Sequence, residues 1–249
     1  MPEPESFSPV ATARALLRRA RTAALATLAR RTGHPFASMV SIACEPDGAP
    51  LLLMSTLAAH SRNLADDPRA SLLIEDRSVA DPQQGARVTV VGRIETLAEP
   101  AAAARRYLAR YPEAALYAGF GDFAFFRLDV EDAHLVAGFG RAMRVRRDDL
   151  LLDLTGRDAL LAAEPDILAA FDADPARVAR LAARLGAPAG DWRVIGIDPE
   201  GLDLATRDPE ARRFRRLVLP ALATSAETLA NLLDDWENTS GMQDLSQID

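Results

Sequence analysis

The chain has 249 residues and no lysine; all 29 of its basic residues are arginine. Without a lysine amine there is no Schiff base to a carbonyl substrate or to pyridoxal phosphate, and no P-loop lysine for nucleotide phosphates. Cysteine is nearly absent as well. Cys44 stands alone, which excludes an internal disulfide and a cysteine cluster for zinc or iron–sulfur, and its alternating apolar setting marks it as a small core residue. The three histidines, His34, His60 and His134, show no HxxxH or comparable spacing, so no zinc site is predicted. Apolar runs such as Leu51 to Met54 and Ala114 to Phe120 fall far short of the ~20 residues a membrane span needs. The opening MPEPESFSPV lacks the basic start and apolar centre of a signal peptide, so a cytoplasmic location with no membrane partner is expected. A net charge of −7 disfavours broad binding to nucleic acid.

What is present is ordinary globular material, 49% hydrophobic and 26% charged, enough for one large domain or two small ones. Ser8 can cap a helix from about Val10 to Arg21. Short β-rich segments follow at Thr22 to Leu28, Ala37 to Glu45 and Ala49 to Ser55, and Glu45-Pro-Asp-Gly48 between the last two reads as a hairpin turn. Ser61 to Asp66 is helical, Arg69 to Glu75 and Ala86 to Leu97 are strands, and Glu99 to Arg110 is a helix. Phe123 to Val130 and Ala133 to Phe139 are expected to form a strand pair, extended by Arg141 to Val145. The pattern predicts a mainly β fold with helices, a closed or split antiparallel barrel over residues 1–153. Residues 154–249 follow as a small α+β domain with helices around Glu164 to Ala170, Pro175 to Leu185 and Ser225 to Trp236, strands between the last two, and a polar tail, SGMQDLSQID, outside the packed elements.

One segment carries chemistry. In LLLMSTLAAHSRNLA, Leu51 to Ala65, an apolar strand stops at Ser55 and is followed by a short helix bearing His60, Ser61, Arg62 and Asn63. A hydroxyl, a helix start and a guanidinium together suit a phosphate group, because helix N–H groups and the helix dipole favour an anion. The alternative is a capped surface helix with an exposed arginine. Neither Gly119-Phe-Gly121 nor Gly138-Phe-Gly140 has the third glycine or the strand-to-helix setting of a dinucleotide fingerprint.

Taken with HPFASMVSIA at His34 to Ala43 and ARVTVVGRIE at Ala86 to Glu95, this segment resembles the FMN-binding split-barrel (pyridoxamine phosphate oxidase-like) family. The stretch YPEAALYAGFGDFAFFRLDVEDAHLVAGFGRA and the α+β tail resemble its haem-utilisation, HugZ-type branch. The resemblance implies FMN as cofactor, a flavin-dependent oxidoreductase acting on a small molecule, and a homodimer with the site between subunits. It implies hydroxyl and backbone contacts from Ser55 and Thr56, and a phosphate held by His60, Ser61 and Arg62. It also implies backbone hydrogen bonds from Ser38, Met39 and Val40 along the flavin edge, Arg87 near the flavin, and close approach at Gly138 with charge from Arg141. For Arg87 the alternative is a solvated strand residue, and for Gly138 to Arg141 a bulge closing the barrel. No residue is assigned a catalytic role. Haem-degrading members of the branch hold iron through a late histidine, and no histidine follows His134, so haem is disfavoured. A non-catalytic binding or regulatory protein, or a haem-binding or haem-degrading one, stands as the alternative on the same fold.

Overall fold

Alternation of buried and half-buried residues after Arg21 builds strands: β1 (Thr22–Leu28), β2 (Pro35–Cys44), β3 (Pro50–Ser55), β4 (Arg69–Glu75), β5 (Ala86–Thr96) and β6 (Phe123–Ala137). In the computed structural model, which describes residues 7–81, 83–138, 140–208 and 212–239, these strands pair antiparallel in the order β3-β2-β1-β4-β5-β6. β3 also pairs with β6, so the six close into a barrel, and β7 (Ala142–Arg146) is added outside β6. Leu25, Ile42, Leu52, Leu72, Val88, Val90 and Leu128 are fully buried inside it. Inward-facing apolar residues at alternate positions are the main source of its stability. The expected tail at 240–249 and the first six residues lie outside the described residues.

Helix α1 (Pro9–Arg19) begins where the Ser8 hydroxyl accepts from the Ala11 N–H at 3.3 Å, and it adds Ala13 and Leu17 to the barrel core. From the same helix the buried Arg18 donates to the carbonyls of Glu45 and Pro46 at 2.9 and 2.8 Å. This clamps the β2–β3 turn, in which Gly48 takes a φ of +99° that other residues rarely adopt. Helices α2 (Ala59–Asp66) and α4 (Arg147–Leu150) complete the barrel region, and α3 (Ala101–Arg110) follows β5 in the chain.

The expected strand pair at Phe123 to Phe139 is instead one continuous strand, β6, of 15 residues. Glu131 and Asp132 stay within the strand, and the irregularity there is a bulge, where the β5–β6 register shifts between Val91 and Gly92. Contacts divide the chain into two compact units, residues 1–107 with 116–151 and residues 108–115 with 152–249. The second holds α5 (Asp158–Ala162), α6 (Glu164–Ala173), α7 (Pro175–Arg184) and α8 (Ala226–Asn238) with a three-stranded sheet of β8 (Trp192–Asp198), β9 (Gly201–Thr206) and β10 (Phe214–Val218) in the order β10-β9-β8.

Gly92 marks a tight approach of β5 to β6: a Cβ built there would stand 2.0 Å from the carbonyl oxygen of Asp129. Gly92→Ala is expected to destabilise the protein by about 3 kcal/mol or more, since backbone and not a flexible side chain must yield. Chemical denaturation measures this; an unchanged midpoint would show that the barrel absorbs the methyl group.

Candidate functional site

The barrel is incomplete along one seam. β1 pairs with β2 from Thr22 opposite Ser41 to Leu28 opposite Pro35, but β3 pairs with β2 only at Ile42, Ala43 and Cys44. Beyond Leu52, β3 runs with β6 instead, from Leu53 opposite Phe125 to Ser55 opposite Phe123. The N–H of Ile42 donates to the Arg21 carbonyl at 3.0 Å, so antiparallel alternation turns the backbone of Ser38 and Val40 toward β1 and that of Ala37, Met39 and Ser41 toward the open edge. Val40 itself is a buried core residue, and Met39 projects outward, 62% exposed. Of the expected Ser38-Met39-Val40 edge, Met39 is thus the residue whose backbone faces the gap.

Helix α2 lies against β1 and β2 beside this gap. Asn63 ties it down, its side-chain N–H donating to Thr27 Oγ1 at 3.0 Å and its Oδ1 accepting from the Arg30 N–H at 3.1 Å. The helix start is left open. Its N-cap is Ala58, which has no side chain to offer, and the first intrahelical bond runs from the Arg62 N–H to the Ala58 carbonyl at 3.1 Å. The N–H groups of Ala59, His60 and Ser61 therefore lack helical acceptors. Ser61 is buried, and its hydroxyl oxygen has no hydrogen-bond partner. Arg62 is exposed, and among the described residues its side chain makes no ion pair or hydrogen bond. His60 is half-buried, with Nδ1 3.1 Å from Ser38 Oγ, and burial holds its pKa below the ordinary histidine value. His34 and His134 are exposed.

The turn into α2 is pinned by a residue that the sequence reading did not single out, Asp122. Its carboxylate accepts from the Ser55 hydroxyl at 2.6 Å and its carbonyl from the Thr56 N–H at 2.7 Å, while Ser55 Oγ also accepts from the Leu57 N–H at 3.1 Å. The Ser55 hydroxyl proton is thereby committed to a carboxylate. Asn63, which the sequence places on the same short helix as His60, Ser61 and Arg62, fastens that helix and does not line the opening.

The remaining expected residues gather elsewhere. Arg87 is on β5, three strands from β2 in either direction around the six-stranded barrel, and its guanidinium donates to the carbonyls of Gln83 and Gly85 at 3.2 and 3.4 Å. Gly138, with φ of +74°, ends β6 beside the Gln84 carbonyl, and the Arg141 guanidinium stands 5.3 Å from the centre of the Phe7 ring. Two groups result: Ser38, Met39, Ser55, Thr56, His60, Ser61 and Arg62 at the seam, and Arg87, Gly138 and Arg141 across the barrel. The first can hold an anionic group at the helix start and offer a neutral imidazole beside it. Among the described residues no cluster of histidine, cysteine and carboxylates has the make-up of a metal site, and no helix is long and apolar enough to cross a membrane.

Similarity to known proteins bears on this region. A protein of unknown function from Agrobacterium tumefaciens has a solved structure that is 32% identical, with 93% of this chain and 96% of that one covered at a TM-score of 0.81. A heme binding protein from Mycobacterium smegmatis is 29% identical over 93% of this chain and 97% of its own, at a TM-score of 0.55. The chloroplastic non-canonical heme oxygenase HOZ of Arabidopsis thaliana is 37% identical over 141 residues, 55% of this chain but 42% of that protein. The split-barrel fold with a C-terminal α+β part is thus shared with proteins that include haem-binding ones. Residues 4–151, which hold the barrel and its seam, match the model of the CREG beta-barrel, and the chain belongs to that family.

Proposed function

We propose that this chain binds haem at the seam of its barrel. The observation that carries the reading is the placement of His60, a half-buried imidazole fixed through Nδ1 beside the open start of α2. A neutral imidazole is a ligand for iron, whereas a phosphate would be better served by a cation. Haem also carries propionates, and the N–H groups of Ala59 to Ser61, the orphaned Ser61 hydroxyl and Arg62 suit a carboxylate as well as they suit a phosphate. The absence of histidine after His134 removes a ligand from the tail but not this one. Two relatives, the Mycobacterium smegmatis protein and HOZ, are haem proteins by name, which supports the same reading. When bound, the iron would supply electron transfer or oxygen chemistry; the chain's own residues would ligate, orient and anchor the cofactor.

FMN is the second reading, favoured by the uncapped α2 start, which fits a phosphate without any part for iron. On that reading the chain is a flavin-dependent oxidoreductase, and Arg62→Ala lowers FMN affinity by roughly 30-fold or more, the loss expected when a charge-assisted contact is removed. On the haem reading, ferric protoporphyrin titrated into the purified protein gives a Soret band shifted by imidazole ligation, and His60→Ala loses that shift together with more than about 100-fold in affinity, above the range for outer-shell residues. Stoichiometric FMN binding with no haem-dependent spectrum would replace the first reading by the second.

A second copy of the chain is the proposed partner. The outer faces of β2, β1 and β4 place Met39, Ala24 and Leu73 in one cross-strand row, with Ala37, Ala26 and Ser71 in the next. Met39 is 62% and Leu73 43% exposed, so the row is apolar and accessible, and a two-fold pair would bury it against itself. Such a pair would also let Arg87, Gly138 and Arg141 of one copy approach the other's seam, which they do not approach in their own chain. Sedimentation should show a dimer, tightened by ligand, and Leu73→Glu should yield a folded monomer. A wild-type monomer binding one ligand per chain would exclude a shared site.

The His60 imidazole should titrate with a midpoint below 6.5, its ordinary value, because burial penalises the charged ring. On acidification the unfolded chain takes up this proton first, so the stability linked to His60 is complete above 6.5 and declines as the pH falls through the folded midpoint. NMR of the ring protons in the ligand-free protein measures it. A midpoint at or above 6.5 would mean the ring is solvated or paired with an anion.

A further inference from the structure

Ser38 on β2 and His60 on α2 meet across the seam at 3.1 Å, and among the described residues neither side chain makes another hydrogen bond. A serine hydroxyl has one proton and two lone pairs, so it can donate to a bare Nδ1 or accept from Nδ1–H. The two cases differ at the opposite nitrogen. If Ser38 donates, the neutral ring carries its proton on Nε2; if Ser38 accepts, Nε2 is bare. The groups assembled at the start of α2 are donors: the free N–H groups of Ala59, His60 and Ser61, the buried Ser61 hydroxyl and the Arg62 guanidinium. Apart from the Ser61 hydroxyl, which can also accept, a further donor on Nε2 would find no acceptor among them, whereas a bare Nε2 adds an acceptor that cannot also donate. The hydroxyl also comes from a strand paired along its length to β1, which fixes it in place.

We propose that Ser38 is a positioning residue that holds His60 in the Nδ1–H tautomer and so presents Nε2 as the ligating atom. The inference rests on the haem reading for what Nε2 binds, but not for the tautomer itself. A hydrogen bond to the far nitrogen of a ligating histidine sets its orientation and raises its basicity, and loss of such a partner typically costs about 10- to 100-fold in affinity for the metal.

Long-range proton–nitrogen NMR of the ligand-free protein, at a pH where His60 is neutral, reads the tautomer directly. Nδ1–H is expected in the wild type, a mixture of tautomers in Ser38→Ala, and return of Nδ1–H in Ser38→Thr, which restores the hydroxyl. Ferric protoporphyrin titrations should follow in parallel: affinity about 10- to 100-fold weaker with a displaced Soret band in Ser38→Ala, and near wild type in Ser38→Thr. An Nε2–H ring in the wild type overturns the proposal, and this measurement stands even if Ser38→Ala does not fold. A folded Ser38→Ala protein with unchanged tautomer and Soret band also overturns it. Undiminished haem binding by His60→Ala would instead remove His60 as the iron ligand and the seam as the haem site, leaving the tautomer result to be judged on the ligand-free spectra.

Discussion

The seam exists because two neighbouring strands disagree in length and direction. β2 has ten residues, but β3 leaves it after Leu52 and follows β6. An unpaired strand edge is costly unless water or another element serves its N–H and C=O groups. The divergence is enforced at Ser55 and Thr56, where the Asp122 carboxylate and carbonyl draw the chain toward the start of β6. Once β3 is pulled aside, α2 can lie against β1 and β2, and Asn63 fastens it there. The opening of the barrel, the exposed backbone around Met39 and the uncapped helix start all follow from this one departure.

The turn, the first helix cap and most strands were legible because their causes are local. Ser8 caps, Glu45-Pro-Asp-Gly48 turns, and β1 and β4 run over the expected residues, since each signal sits within a few positions of its effect. β6 was misread as a pair of strands because Glu131 and Asp132 interrupt its apolar alternation. There the register shifts, Val91 facing Asp132 and Gly92 facing Val130, so Glu131 is the bulged residue, and a register is a property of both strands that the β6 sequence alone does not show. The candidate site was legible in half. Its helix could be read from residues 51 to 65, but the partners that define it, Asp122 for Ser55 and Ser38 for His60, are distant in sequence and meet only through strand pairing. Arg87, placed by resemblance, faces its own loop carbonyls, and nothing in its local sequence distinguishes that state from one directed at a ligand.

A chain whose cations are all arginine can place a delocalised, multidentate charge where an ammonium would be less suited. The second unit shows this in Arg216, which is almost fully buried. It donates to Asp198 at 2.8 Å and Asp203 at 3.0 Å, with Glu200 at 3.8 Å. Burial opposes its charge, yet the charges and hydrogen bonds of Asp198 and Asp203 outweigh burial and keep it ionised. The guanidinium thereby crosslinks β10 to the β8–β9 hairpin at several points at once. Removing one partner of such a network would strand the others in low dielectric, which makes the node a constraint on register more than a source of net stability.

Charge along α2 follows a different logic. Helices ordinarily carry acidic residues in the first turn and basic ones in the last, to complement the dipole; α2 has neither. At its far end Asp66 and the adjoining Asp67 would clash with the negative pole, but Arg30 and Arg69 reach them at 2.6 and 2.5 Å, and the hydrogen bond from Arg69 brings the Asp67 carboxyl down to about 2. These exposed pairs add little stability. Their effect is to cancel local charge at the C-terminal end while the N-terminal end keeps its free N–H groups and an unpaired Arg62. The helix is left polarised with its uncompensated positive end beside His60. An anionic group seated there would complete the hydrogen bonding that the fold itself leaves open.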